Sequence, residues 1–236
     1  MKEGKCPLLE ITTVAYCKAF PVKKIPVDKV SATKGLCGTV SFQECSLYRE
    51  INGANRGTQS VRGFLLESGC YYHPRHSWVC ASIGAEEEAR LGIDDFAARI
   101  LGPVDRVSVP AAGSALKENG IAFLLHSGPR TLRIVAPVDG VVRSVNAQAV
   151  SDPAVINRSP YHDGWILSVN LRGDGVKGLF YGSVARKWLD NEVERLHRAF
   201  VADLGVTAAD GGETLPDIGP RLTEAQWGRV VNQFFG

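Results

Sequence analysis

The alternation of apolar and polar positions divides the chain into three stretches. Residues 1–62 carry broken apolar runs interrupted by Pro7, Pro21 and Pro26, and they end in the turn-forming Asn52-Gly53-Ala54-Asn55-Arg56-Gly57. Residues 66–176 hold short strand-like runs separated by Gly and Pro: Trp78 to Ser82, Arg106 to Val109, Ala122 to Leu125, Leu132 to Ala136, Val141 to Val145 and Trp165 to Leu171. In the last run Trp165, Leu167, Val169 and Leu171 alternate with Ile166, Ser168 and Asn170, the period of a strand with one face in a core. Many short strands predict a barrel or sandwich. One short helix interrupts them, capped by Asp94 and Asp95, with Phe96 and Ile100 on one face and Gly102-Pro103 at its end.

Residues 177–236 read as helical. Ser183 is a candidate N-cap, and Val184, Trp188, Leu189, Val193, Leu196 and Phe200 fall on one face before Gly205. Arg186 with Asp190 and Glu194 with Arg198 are i,i+4 pairs on the other. A last helix starts near Thr223, which has capping-box spacing to Gln226, and carries Trp227, Val230, Val231 and Phe234 on its apolar side.

Composition narrows the function classes. The 236 residues are 44% hydrophobic and 22% charged, values of an ordinary globular chain. No apolar run approaches the roughly 18 to 20 residues of a membrane span, and the start, Met1-Lys2-Glu3-Gly4-Lys5-Cys6, lacks a secretory h-region. A cytoplasmic protein without a membrane partner is expected. The net charge of +2 leaves no field for counterion release, so nucleic acid is not an expected partner either.

All six cysteines lie in the first 80 residues, and in a reducing compartment such a cluster points to metal or redox chemistry more than to structural disulfides. Cys6, Cys17, Cys37 and Cys45 have the spacing C-x10-C-x19-C-x7-C. Four thiolates suit zinc or an iron–sulfur cluster, and Lys5, Lys18, Lys23, Lys24 and Lys34 favour their deprotonation. The competing reading is four separate thiols, some packed as small hydrophobes. A second set, Cys70, His73, His76 and Cys80, superficially resembles a zinc constellation, but His76, Trp78 and Cys80 alternate along a strand and packing accounts for them.

The middle stretch resembles the H-protein of the glycine cleavage system over roughly residues 73–172. The motifs in order are His76-Ser77-Trp78-Val79, Gly92-Ile93-Asp94-Asp95-Phe96-Ala97 (family Gly-Ile-Thr-Asp-Tyr-Ala), Leu101-Gly102, Val109-Pro110 with Gly113, and Ala136-Pro137-Val138-Asp139-Gly140. They continue with Asn146, Asp152-Pro153, Asn157, Pro160-Tyr161 and Gly164-Trp165. The resemblance implies an α+β fold, mainly a β barrel-sandwich hybrid of the hammerhead, biotinyl/lipoyl-like type, here with a cysteine-rich N-terminal segment and C-terminal helices.

It also implies a lipoyl carrier, in which one lysine at a hairpin tip bears a swinging arm. In the family that lysine stands eleven residues before the glycine of the Pro-Val-x-Gly turn, and counting back from Gly140 gives Pro129. Gly128 and Arg130 flank it, and no lysine lies between Lys117 and Lys177. Gly128-Pro129-Arg130 reads as a tight turn. No lipoate is therefore expected at the usual tip, nor any other bound cofactor there.

Arg130 and Arg133 are candidates for docking a partner or an anion. His126 beside Ser127 invites a nucleophile-and-base reading, but neighbours on a strand point apart and no carboxylate lies nearby. His162 is expected at the surface and His197 facing solvent or a neighbouring segment. No catalytic group stands out. The sequence thus points to a non-lipoylated, non-enzymatic H-protein-like adaptor that docks partner proteins, in a multi-enzyme assembly, with a metal or iron–sulfur site at Cys6, Cys17, Cys37 and Cys45. The alternative is an iron–sulfur electron-transfer protein that uses the barrel only for docking.

Overall fold

The computed structural model describes residues 57–81, 88–172, 176, 178–204 and 218–236, with short pieces at 16–17, 25–26, 36 and 39. In chain order the strands and helices are β1 (Tyr16–Cys17), β2 (Ile25–Pro26), β3 (Thr58–Val61), β4 (Phe64–Glu67), β5 (Tyr71–Tyr72), β6 (Ser77–Ala81), β7 (Glu88–Ile93), α1 (Asp95–Leu101), β8 (Arg106–Ser108), β9 (Ala115–Leu116), β10 (Ile121–Ser127), β11 (Arg130–Val135), β12 (Gly140–Val145), α2 (Ala147–Ser151), α3 (Ala154–Arg158), β13 (Leu167–Leu171), α4 (Gly182–Leu204) and α5 (Glu224–Phe234). A 3-10 turn, Gly219–Arg221, leads into α5. The class is α+β, as the sequence implied. A six-stranded antiparallel sheet runs β5-β6-β7-β13-β12-β9, and a three-stranded sheet runs β11-β10-β8.

Both sheets face one core. Trp78, Leu91, Ile93 and Val169 come from the larger sheet, Leu125, Leu132 and Ile134 from the smaller, and Phe96 and Ile100 from α1. The C-terminal helices complete this core rather than trailing from it: Trp188, Leu189, Val193 and Leu196 of α4 and Trp227, Val230 and Phe234 of α5 are all buried. At roughly 1.5 to 3 kcal/mol for each such side chain, this packing dominates the attachment of both helices.

The motif residues that carried the family resemblance turn out to satisfy backbone groups. Asn146 caps α2, accepting from Gln148 N at 3.0 Å, while its Nδ2 donates to Asp163 O and Trp165 O, each at 2.7 Å. Asn157 Nδ2 donates to Gly102 O at 2.9 Å and Ala98 O at 3.2 Å, and its Oδ1 accepts from Val104 N at 2.9 Å, closing the end of α1. The Tyr161 hydroxyl donates to Leu65 O at 2.7 Å and accepts from Asp95 N at 3.2 Å. Burial pushes this phenol, and that of Tyr72, well above the usual tyrosine range.

Several expectations need correction. The strand expected from Trp165 begins at Leu167, and its alternation fails because it lies inside the sheet: Ile166 and Ser168 are buried, the latter donating to Glu88 Oε1 at 2.8 Å, while Trp165 packs under Arg90 at 4.9 Å. His76 is not in a strand but at φ 62 in the turn before β6. On α4, Val184 points out at 59% exposure and Ala185 faces the core. Asp190 pairs with Arg62 at 2.7 Å, and its expected partner Arg186 reaches Gln59 instead. The β3–β4 hairpin turns at Arg62-Gly63, where the sequence marked the end of the first stretch. Helices α2 and α3, each five residues long, are too short to show a helical period.

Candidate functional site

The hairpin that the resemblance marks is formed by β10 and β11, paired from Ile121↔Val135 to Ser127↔Arg130. Two residues, Gly128 and Pro129, make its apex, and both are exposed. Gly128 has φ 56 and proline fixes a negative φ after it, the order a type II′ hairpin turn requires. Gly128 N donates to Asp105 Oδ2 at 2.5 Å, and Asp105 N donates to His126 O at 3.0 Å, so the residue leading into β8 braces the apex.

Arg130, the first residue beyond the apex, does not project into solvent as a free cation. Its Nη1 donates to Gly219 O and its Nη2 to Leu222 O, each at 2.5 Å, and its Nε donates to Glu224 Oε1 at 2.9 Å. The guanidinium lies 5.0 Å from the centre of the Trp227 ring. A planar fork of donors suits two carbonyls, a carboxylate and an aromatic face at once. The C-terminal segment is thus fastened to the flank of the apex. Arg133, in contrast, is exposed on the outer face of β11.

His126 takes neither Ser127 nor a carboxylate as a ring partner among the described residues. Its Nε2 is 2.9 Å from Ser108 Oγ and its Nδ1 is 3.0 Å from Thr131 Oγ1, across β8 and β11. A neutral imidazole donates to one hydroxyl and accepts from the other, which stitches three strands together. His162 is exposed and 3.7 Å from Glu67 Oε2, and His197 is exposed on α4, as expected.

Of the candidate metal ligands, Cys6, Cys37 and Cys45 lie outside the described residues, and of Cys17 the structure describes only the backbone, in β1, paired with Ile25 of β2. Cys70 and Cys80 form a disulfide with Cα atoms 4.4 Å apart, which corrects the preference for metal or redox chemistry over disulfides at these two positions. The reason is register: Tyr71 pairs with Val79, so the next positions outward face each other. His73 is bound through Nε2 to Asn119 Oδ1 at 2.9 Å, and burial pulls its titration below the usual histidine range. Among the described residues no three His, Cys, Asp or Glu side chains gather as a metal site.

One arrangement escaped the sequence reading. His76 is fully buried, with Nδ1 2.8 Å from Asp94 Oδ2 and Nε2 3.9 Å from Glu192 Oε2. Asp94 caps α1 with its other oxygen, accepting from Ala97 N at 2.8 Å. The family pattern has threonine here, which could cap the helix but would bring no negative charge to the ring; that departure was the available signal.

These features define an α+β domain built on a six-stranded and a three-stranded antiparallel sheet, with one hairpin presenting a two-residue apex. The family model described as glycine cleavage H-protein matches residues 70–191, just over half of the chain, and the chain belongs to that family. It is 33% identical over 106 residues to the glycine cleavage system H protein of Micrococcus luteus, covering 45% of this chain and 82% of the relative. It is 34% identical over 103 residues to that of Bifidobacterium longum, covering 44% and 73%. A crystal structure of an H protein from Mycobacterium marinum is 27% identical, covering 54% of this chain and 99% of that one, with a TM-score of 0.48.

A lipoyl group is held through an amide to a primary amine, and the apex residues do not fit it: neither Gly128 nor Pro129 has one. The lysines among the described residues are Lys117 and Lys187. Lys117 lies beyond the far end of β10, a strand about 23 Å long at ~3.3 Å per residue, with its ammonium 3.2 Å from Asp139; Lys187 lies on α4.

Proposed function

We propose that this chain is a non-lipoylated H-protein-like adaptor, which docks partner proteins of a multi-enzyme assembly and performs no catalysis itself. The observation that carries this reading is the apex: Gly128-Pro129 stands where a carrier needs a free amine, and the adjoining Arg130 is bound to the chain's own C-terminal segment. What remains of a carrier domain without its arm is its surface, and docking is the function that surface retains. Neither the net charge nor any helix among the described residues favours nucleic acid or a membrane span.

The test is intact-mass spectrometry of protein isolated from its native host, and again after incubation with lipoic acid, ATP and a lipoyl ligase. No added lipoyl mass is expected in either sample, and a lipoylated species in either would overturn the reading. Co-purification of stoichiometric partner enzymes from the same host is the positive half of the expectation.

The adaptor carries, in this reading, a metal module at Cys6, Cys17, Cys37 and Cys45, with zinc or an iron–sulfur cluster as the occupant. Elemental analysis of anaerobically prepared protein should find near-stoichiometric zinc or iron, and finding neither would remove the module. Four soft donors among lysines also support a second reading, an electron-transfer protein whose cluster is the working part. A visible absorption band that bleaches on reduction would favour it, and a colourless protein bound to a multi-enzyme complex would favour the adaptor.

A further inference from the structure

The His76 ring stacks on Phe96 of α1 at 4.1 Å and is boxed by Trp188 of α4 at 5.0 Å and by Phe235 and Phe234 of the C-terminal segment at 5.3 and 6.3 Å. Two carboxylates reach the ring through this apolar wall. Asp94 belongs to the cap of α1, and Glu192 lies on α4, one residue beyond the part of the chain that the family model covers. Arg195 binds both oxygens of Glu192 at 2.7 Å, lies 5.0 Å from the Phe234 ring centre, and donates to Gln233 O at 3.2 Å. His73 and Arg75 lie in the same turn as His76, and Asp95, Tyr72 and Tyr161 lie near Asp94.

Neutral His76 can donate one hydrogen bond, from Nδ1–H to Asp94 Oδ2, which leaves the Nε2 lone pair buried against a carboxylate. That nitrogen has no hydrogen-bond partner among the described residues. As an imidazolium, the ring offers N–H on both sides and spans the two anions, with Arg195 balancing the remaining charge. Burial alone lowers the titration of His76, but the charge and hydrogen bond of Asp94, joined by Glu192, outweigh it and hold the group above the usual histidine range.

We propose that His76 is a proton-operated latch that fastens the C-terminal helices α4 and α5 to the barrel, so that the local opening of this extension increases as pH rises. The apolar packing of the two helices is far larger than one ion pair, so the latch tunes an opening equilibrium and does not detach the extension. Each pH unit by which His76 is raised corresponds to a tenfold change in that equilibrium. Because the start of α5 also holds Arg130 through Glu224 and Trp227, the same opening frees the flank of the hairpin apex.

Hydrogen exchange on the full chain tests this. With rates corrected for intrinsic pH dependence, the opening constant of α5 amides should rise between pH 6 and 9, while that of β12 and β13 amides should not follow. Glu192→Gln should flatten the α5 profile. In parallel, the NMR titration of His76 in the wild type should lie above 6.5 and fall in E192Q. A flat wild-type α5 profile, a His76 midpoint at or below 6.5, or an undiminished rise in E192Q would overturn the latch. Should E192Q fail to fold, the two wild-type measurements decide.

Discussion

Arg130 and Trp227 stack with the guanidinium 5.0 Å from the ring centre, joining the residue after the hairpin apex to the last helix. The contact links two parts of the chain 97 positions apart, and it is reinforced by two carbonyls and a carboxylate from the same segment. It gives the extension a hold on the part of the domain where a carrier would keep its moving arm.

Arg130→Ala should cost about 1 to 3 kcal/mol, because it strands two carbonyl acceptors in a mostly buried site and removes the stacking contact. Urea unfolding measures the loss. Arg130→Lys should recover less than half of it, since an ammonium cannot reproduce the fork. Equal stability of all three proteins would show that the clamp contributes nothing.

Gly92→Ala tests the packing beneath the first motif. A Cβ at this position would lie 2.6 Å from the Trp78 indole, whose Nε1 donates to Ile93 O at 2.8 Å. The ring cannot retreat without breaking that bond, so a loss of about 1 to 3 kcal/mol is expected, with a change in the near-ultraviolet dichroism of the tryptophan.

Reduction of Cys70–Cys80 should lower stability by about 2 to 3 kcal/mol, the loop-closure contribution of a short bridge. A paired measurement of the denaturation midpoint with and without reductant, against a Cys70→Ser, Cys80→Ser double variant, checks it. The double variant should be insensitive to reductant.

The pH profile of global stability should fall on both sides of neutrality. His76 is raised above its unfolded value, so its contribution is complete below about 6.5 and disappears as pH climbs through its folded midpoint. Glu192, which burial pushes up but His76 and Arg195 hold below the usual carboxylate range, contributes above its unfolded value near 4.5 and loses that as pH falls through its folded midpoint. His73 acts in the same direction as Glu192, since burial resists its protonation. Denaturation midpoints from pH 4 to 9 test both limbs, and a plateau across the alkaline one would contradict the charged state assigned to His76.

Much of the framework was legible because it rests on local signals. The Asp94 cap, the stop at Gly102, the Thr223–Gln226 capping box and the tight turn at Gly128-Pro129 each involve neighbours within a few residues. What escaped the reading depends on tertiary encounter. Val184 and Ala185 exchange roles because the core approaches α4 from a slightly different side than its apolar stripe suggests. Asp190 and Glu194 are drawn to Arg62, more than a hundred residues away, and no periodicity announces that pairing. The approach of Glu192 to His76 has no local signal for the same reason, since the two meet only when α4 packs back across the sheets.

Tyr72 and Phe180 exchange both backbone hydrogen bonds at 2.8 Å, so a short segment ahead of α4 lies along β5, the outermost strand of the large sheet. That seal has a consequence for handling the protein. A fragment ending at residue 172 would keep most of the family motifs yet leave the Tyr72 amide and carbonyl bare at the sheet edge, inviting strand exchange between molecules. Such truncations should aggregate or pair, whereas chains that retain residues through α4 should stay dispersed.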